Sequence, residues 1–275
     1  MVKLVFGALA LALASGAALA QDKVRIGVFP VSSSLPHFVA AERGFYKEQK
    51  LDVEMIRLIG GPPNVSALIT NQIDAAAVLV TIEGMNANVK KPGVAMYISV
   101  NAQNATYQME QFVVRKGFNA KSLKELKGAR IMSAPGPANV TMARAALAAA
   151  GLKEGDYRLD QLDMGQHVNA MTAGTFDAGY TLEPNASVMR KNGVANTLEA
   201  GVIAKYILGD PYAHAWVAGC VISSDFMKNR PEVAKRFTAA WEKAVRFITT
   251  NPKEARKHLV KNTFTPDDIV DTVPR

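Results

Sequence analysis

Four histidines and one cysteine are the side chains most able to do chemistry in this sequence: His37, His167, His214, His258 and Cys220. None of the histidines stands at a spacing that would place two of them on one metal ion. Cys220 lies in the apolar run Trp216-Val217-Ala218-Gly219-Cys220-Val221-Ile222, with no electropositive neighbour to activate a thiolate. It reads as a small buried hydrophobe. The chain has no G-x-S-x-G elbow, no H-E-x-x-H and no phosphate loop. Weight therefore shifts from catalysis to binding, and no cofactor or metal is expected.

The loops offer more. Residues 29–37 run Phe-Pro-Val-Ser-Ser-Ser-Leu-Pro-His, and residues 60–64 run Gly-Gly-Pro-Pro-Asn. Pro135-Gly136-Pro137-Ala138-Asn139-Val140-Thr141 and Gly165-Gln166-His167 have the same character. Each follows a strand-like run and opens a helix-like one. Free backbone N–H groups at helix starts bind anions readily; each loop read alone is equally an ordinary turn with an N-cap. Tyr180-Thr181-Leu182-Glu183-Pro184 also ends a strand. Glu183 is either a helix-start carboxylate favoured by the dipole or a partner for a ligand amine. Tyr180 is either core or cleft wall.

Strand-like and helix-like runs alternate behind these loops. Strands are expected at 24–29, 51–58, 74–80, 94–100, 130–133, 158–162 and 176–181, and helices at 35–45, 62–70, 81–89, 138–150 and 183–191. This order argues for βαβ units and mostly parallel sheets. Residues 65–75, V-S-A-L-I-T-N-Q-I-D-A, match residues 168–178, V-N-A-M-T-A-G-T-F-D-A, at an offset of 103. Asn71 and Gly174 fall where each helix needs a left-handed residue to turn into the next strand. Arg25-Ile26 and Pro30 match Arg130-Ile131 and Pro135 at an offset of 105. Two similar lobes follow, with 111–115 and 216–222 as strand-like crossings. Helices are expected at 231–250 and 252–261, and another opening at Thr265.

The chain has 275 residues, 49% of them apolar, and a formal charge of +8. Such a composition excludes disorder, and a lone Cys excludes an internal disulfide framework. Lys3, the apolar stretch after it and Ala18-Leu19-Ala20 form the pattern of a signal peptide cleaved after Ala20. Removing residues 1–20 takes one Lys and no acid, leaving 31 basic and 24 acidic residues, a formal +7. The basic residues are dispersed and the chain is exported, so nucleic acid is not an expected partner. The charge gives a mild bias toward anionic solutes.

Several ordered segments carry a family resemblance. They are Ala41-Glu42-Arg43-Gly44-Phe45-Tyr46-Lys47, Leu51-Asp52-Val53-Glu54, Gly60-Gly61, Ala67-Leu68 with Gln72-Ile73-Asp74-Ala75, Ser122 to Gly128, Phe176-Asp177-Ala178 with Glu183-Pro184, and Asn251-Pro252-Lys253-Glu254-Ala255. The chain resembles the periplasmic solute-binding proteins of the nitrate, sulfonate and taurine ABC-transporter group, which includes thiamine-pyrimidine binders. The resemblance implies an α/β, two-lobed periplasmic-binding-protein fold of type II, each lobe a mostly parallel sheet flanked by helices. Lobe 1 would span 21–108 plus 219–275, and lobe 2 residues 109–218. It implies a monomer in the periplasm that closes on a small solute and delivers it to the membrane subunits of an ABC transporter. The implied pocket uses Pro30, Ser32, Ser33, Ser34, His37, Gly60, Gly61 and Thr81 from one lobe. From the other it uses Gly136, Asn139, Thr141, Gln166, His167, Tyr180 and Glu183. Tyr180-Thr181-Leu182-Glu183 stands where many relatives have Trp before the Pro, which leaves sulfonate, nitrate and pyrimidine open. Relatives also continue some tens of residues further, so either the sequence is truncated or its last segment is reduced. An enzyme on the same scaffold and a receptor-coupled sensor are the competing functions.

Overall fold

The computed structural model describes residues 21–274; the expected signal peptide lies outside them. In chain order the elements are β1 (Asp22–Val28), α1 (Leu35–Glu42), α2 (Phe45–Glu48), β2 (Leu51–Arg57), α3 (Gly61–Ile69), β3 (Ala75–Val80), α4 (Thr81–Lys90), β4 (Met96–Tyr97) and β5 (Asn101–Gln103). Then come β6 (Glu110–Arg115), β7 (Arg130–Ser133), α5 (Pro137–Ala149), β8 (Arg158–Gln161), α6 (His167–Thr172), β9 (Ala178–Leu182), α7 (Asn185–Lys191), β10 (Ala195–Ala200) and α8 (Val202–Tyr206). The chain finishes with β11 (Ala215–Ile222), α9 (Ser224–Asn229), α10 (Pro231–Thr250), α11 (Pro252–Arg256) and α12 (His258–Asn262).

The strands form two sheets. The first runs β2-β1-β3-β11-β4, with β5 also on β11; the second runs β10-β6-β9-β7-β8. β1 is parallel to β2 and β3, and β7 is parallel to β8 and β9. β11 enters the first sheet antiparallel to β3, and β6 enters the second antiparallel to β9. The central strands β3 (AAAVLV) and β9 (AGYTL) are buried and largely apolar because helices cover both faces.

Helix α10 shows how the first core closes. Val233, Phe237, Ala240 and Ala244 recur at helical spacing and are buried. Phe237 stacks on Tyr46 with centroids 5.7 Å apart. Deleting so buried an aromatic ring costs about 3–5 kcal/mol.

The repeat is visible as one device used twice. In the first lobe the Arg25 amide donates to Asp74 Oδ2 at 2.8 Å, and Arg25 Nη2 donates to the Asn71 carbonyl at 2.9 Å. In the second the Arg130 amide donates to Asp177 Oδ2 at 3.0 Å, and Arg130 Nη2 donates to the Gly174 carbonyl at 2.8 Å. Asn71 and Gly174 both have positive φ, 56° and 70°. Each aspartate thus ties the start of its strand, β3 or β9, to the start of the parallel neighbour, β1 or β7.

Five expectations change. The helix expected at 35–45 breaks at Gly44, whose φ is 75°, into α1 and α2, and the one expected at 252–261 breaks at Lys257 into α11 and α12. The strand expected at 94–100 shrinks to β4, and β5 follows it. No α-helix opens at Thr265; the chain there makes only a short 3-10 turn, Val270–Thr272. Residues 111–115 and 216–222 are interior strands of the two sheets, because their apolar side chains are needed in the cores. The chain passes between the sheets at 104–109 and 201–214. These two links touch: Asn104 Nδ2 donates to the Tyr212 carbonyl at 3.1 Å, and the Ala105 amide to the Pro211 carbonyl at 2.9 Å.

Candidate functional site

The carboxyl ends of the parallel strands in both sheets point into one interlobe cleft. The loop after β1 brings Phe29, Val31 and Ser33 there, β3 brings Val78 and Val80, and α3 brings Gly61. The second lobe brings Asn139, Tyr180 and Leu182. Gln103, Met109, Val217 and Ala218 complete the wall from beside the links. The enclosed cavity is only about 30 Å³, room for about one or two waters. It meets a wider groove of about 660 Å³, which shares Ser33, Gln103 and Met109 and is further lined by Ser32, Glu183 and the α10 residues Trp241, Val245 and Ile248.

Two helix starts face each other across the cleft. Gly60 and Gly136, the N-caps of α3 and α5, have φ of 85° and 98°. Both helices carry Pro in the first turn, which suits a position whose N–H has no helical partner. Asn64 Nδ2 donates to the Gly60 carbonyl at 2.8 Å, and Asn139 Nδ2 to the Pro135 carbonyl at 2.7 Å. The same brace therefore holds each loop. A Cβ on Gly60 would lie 3.7 Å from the Pro135 carbonyl oxygen, so the two loops are already close.

The expected pocket residues divide into three groups. Ser33, Gly61, Asn139 and Tyr180 line the cavity, and Ser32 and Glu183 line the adjoining groove. Gly60 and Gly136 flank them. Ser32 bridges the lobes: its amide donates to the Glu183 carbonyl at 3.1 Å, and its hydroxyl to Met109 Sδ at 3.2 Å. Tyr180 is cleft wall and core together, packed on Phe112.

A second group is already engaged within the protein, buried except for the half-buried Thr81. Pro30 is buried inside the first loop, and the Ser34 hydroxyl closes that loop on the Phe29 carbonyl at 2.6 Å. Thr81 Oγ1 donates toward the carbonyls of Trp216 and Val217, both at 3.1 Å. His37 sits in the first core, with Nδ1 2.6 Å from the Tyr46 hydroxyl and Nε2 3.3 Å from Cys220 Sγ. Burial pushes its pKa down to about 3 and pushes the Cys220 thiol up, so both stay uncharged. His167 has Nδ1 2.9 Å from Thr181 Oγ1 and Nε2 3.0 Å from the Leu162 carbonyl; burial lowers it to about 4. The third group faces away: Thr141 is exposed on the outer side of α5, over a shallow depression, and Gln166 is exposed before α6.

Glu183 is fully engaged. Its Oε1 accepts from Gln111 Nε2 and from Arg190 Nη2 at 3.2 Å, and its Oε2 accepts from the Ser187 amide at 3.2 Å. Burial nonetheless raises its pKa. Of the two readings open in the sequence, the helix-start carboxylate is the one these bonds realise.

The sequence misses Glu83 and Gln103. Glu83 lies in the first turn of α4, over Gly61: a Cβ there would be 1.4 Å from Glu83 Oε2. Burial raises its pKa, and the Ala138 amide opposes that shift. Gln103 is 5% exposed and lines both the cavity and the groove. The available signal for Glu83 is its place just past the end of a buried strand.

A model of the family described as NMT1/THI5-like matches residues 32–255. A protein of Brucella abortus named as a binding protein is 24% identical over 217 residues, which are 79% of this chain and 64% of that protein. The chain thus spans under two thirds of the length of that relative. Among solved structures, the fold is similar to the alkanesulfonate-binding protein SsuA of Xanthomonas axonopodis pv. citri bound to MOPS, with a TM-score of 0.71 and 19% identity over 93% of this chain and 84% of that one. It is also similar to the periplasmic nitrate-binding protein NrtA of Synechocystis PCC 6803, with a TM-score of 0.71 and 17% identity over 91% of this chain and 69% of that one.

Proposed function

This chain belongs to the NMT1/THI5-like family, and from that premise we propose that it is an exported solute-binding protein that captures a small molecule between its lobes. The observation that carries the reading is a cavity walled by the strand ends of both sheets. In open α/β sheets the carboxyl ends of the strands are where ligands bind. The proposed lobes are residues 21–108 with 215–275, and residues 109–214, since β11 pairs with β3 and β5 of the first sheet. Closure on the solute would present one defined surface to the membrane subunits of an ABC importer. The protein acts as a monomer in the periplasm after cleavage at Ala20.

Ser32, Ser33, Gly60, Gly61, Gly136, Asn139 and Tyr180 are the proposed contact residues from the expected set. Binding without turnover is supported by the burial of the candidate nucleophile and base, Cys220 and His37. The names of the similar proteins point the same way. The solutes named for the structural neighbours, alkanesulfonate and nitrate, set the first screen, together with pyrimidines. Protein purified from the periplasm is denatured and its released small molecules are identified by mass spectrometry; the purified, stripped protein is then titrated with them. A stoichiometric, rebinding small molecule is expected. A folded protein that carries none and is stabilised by no compound in the screen contradicts the proposal.

A further inference from the structure

The place where an anion would bind in this cleft is already filled by the protein. Glu83 reaches from α4 of the first lobe to the start of α3 and, across the cleft, to the start of α5. A Cβ on Gly61 would lie 1.4 Å from Glu83 Oε2, and one on Gly136 would lie 3.6 Å from Glu83 Oε1. The Ala138 amide, in the first turn of α5, is near enough to stabilise the ionised carboxylate. Helix N-termini favour negative charge, and here the carboxylate supplies it. A nitrate or sulfonate would have to displace Glu83 from these positions or sit against a like charge.

Glu83 is itself incompletely satisfied. Its Oε2 is sealed from solvent and has no hydrogen-bond partner. Gln103 Oε1, on the cavity wall, is likewise buried and unpartnered. Buried polar atoms are normally paired, so each such atom needs a reason. No Lys or Arg is among the described residues that line the cavity, so the positive charge of the chain is spread elsewhere. Glu83 stands beside Gly61 rather than among the lining residues, and the wall is largely apolar, with Phe29, Val78 and Leu182 among its members. The two unpartnered atoms are acceptors, and what they lack is a donor.

We propose that Glu83 is the specificity-determining residue of the cleft, and that the solute is a small organic cation, an amine or amidine on an apolar body, whose N–H groups bind Glu83 Oε2 and Gln103 Oε1. The inference rests on the solute-binding reading and narrows it. The cation gives the carboxylate the counter-charge that it lacks, and the charge-assisted bond forms in a desolvated site. Opening of the lobes admits the solute, because the closed cavity is too small for it.

The test is calorimetric titration of the stripped full-length mature protein with phenethylamine and benzamidine, and separately with nitrate and methanesulfonate. Native mass spectrometry of the unstripped protein accompanies it. The wild type is expected to bind an amine or amidine and neither anion. Glu83→Gln, which keeps the size and removes the charge, is expected to bind the cation at least about tenfold more weakly, with unchanged circular dichroism. If Glu83→Gln does not fold, Gln103→Leu serves instead, with a weaker loss expected. Anion binding by the wild type, a co-purified solute that carries no cationic nitrogen, or cation affinity unchanged in the variant overturns this inference and leaves solute binding standing. No probe bound and no co-purified small molecule overturns the solute-binding reading itself.

Discussion

Glu110 is the residue whose burial has the clearest cost. It is fully buried on β6; Oε1 accepts from the Ile203 amide at 3.3 Å and Oε2 has no partner. Desolvation raises its pKa from 4.5 to about 7. The folded state therefore holds this proton over a range where the unfolded chain has released it. Stability is unaffected below about pH 4.5, falls as the pH rises toward 7, and carries the full penalty above that, on the order of 3 kcal/mol. Glu110→Gln keeps an acceptor for Ile203 and removes the charge. Its melting temperature should match the wild type near pH 4.5 and exceed it at pH 8; equal melting temperatures at pH 8 would show that the carboxylate is not penalised.

Asn139 tests the cleft at the same scale. Its side-chain amide holds the Pro135 carbonyl and with it the loop that faces Gly60. Asn139→Ala should cost about 1 kcal/mol of stability for the lost hydrogen bond and weaken the co-purified solute more than this loss explains, read by paired denaturation and titration. His167, equally prominent in the sequence, has both ring nitrogens occupied within its lobe. A histidine after a glycine-rich turn looks the same on paper whether it faces a ligand or the core. Only the partner decides, and Thr181 comes from another strand.

Among the elements, those whose cause is local were legible. Asn71 and Gly174 were read as helix-ending residues from a match of eleven positions, and both are left-handed. The same match aligns Asp74 with Asp177, but their role was not legible in it, because the arginines that they hold lie in the separate match at residues 25 and 130. Glu83 and Gln103 were not legible, because their surroundings come from Gly61, Ala138 and the second lobe. The links were misplaced for a related reason: strands β6 and β11 are apolar because they are central, and centrality depends on topology. Gly201 marks the second link. Its φ is 62°, and a Cβ there would meet the Asn104 carbonyl carbon at 2.3 Å and the Ala105 nitrogen at 2.5 Å. Both obstacles are backbone and cannot swing aside. Gly201→Ala should destabilise the protein by more than about 1 kcal/mol, the usual scale for a residue forced into an incompatible backbone. Gly193→Ala is the control, with similar φ of 64° and open space around it. Equal melting temperatures in the two variants would remove the link contact as the cause.

For the whole molecule, the closed cleft and its small cavity imply a second, open arrangement. A cavity of about 30 Å³ cannot take a solute of several non-hydrogen atoms, while pockets for small ligands are commonly some ten times larger. The contacts that hold the lobes together are polar and apolar: Ser32 on Glu183 and Met109, Ser187 on the Thr272 carbonyl, Glu83 over the start of α5, and Phe29, Val31 and Val78 in one buried cluster with Tyr180 and Leu182. Hinged closure of periplasmic binding proteins is a recognised kind of rigid-body switch, and a solute shifts such an equilibrium only through contacts that it makes better in one state. Here those contacts would be made to both lobes at once. The stripped protein should therefore scatter X-rays with a larger radius of gyration than the closed structure predicts, and the co-purified solute should bring it down. Glu83→Gln, with its interlobe charge gone, should lie further toward the open form without solute. A radius already equal to that of the closed structure in stripped protein, and unchanged by solute, would mean that the lobes do not hinge.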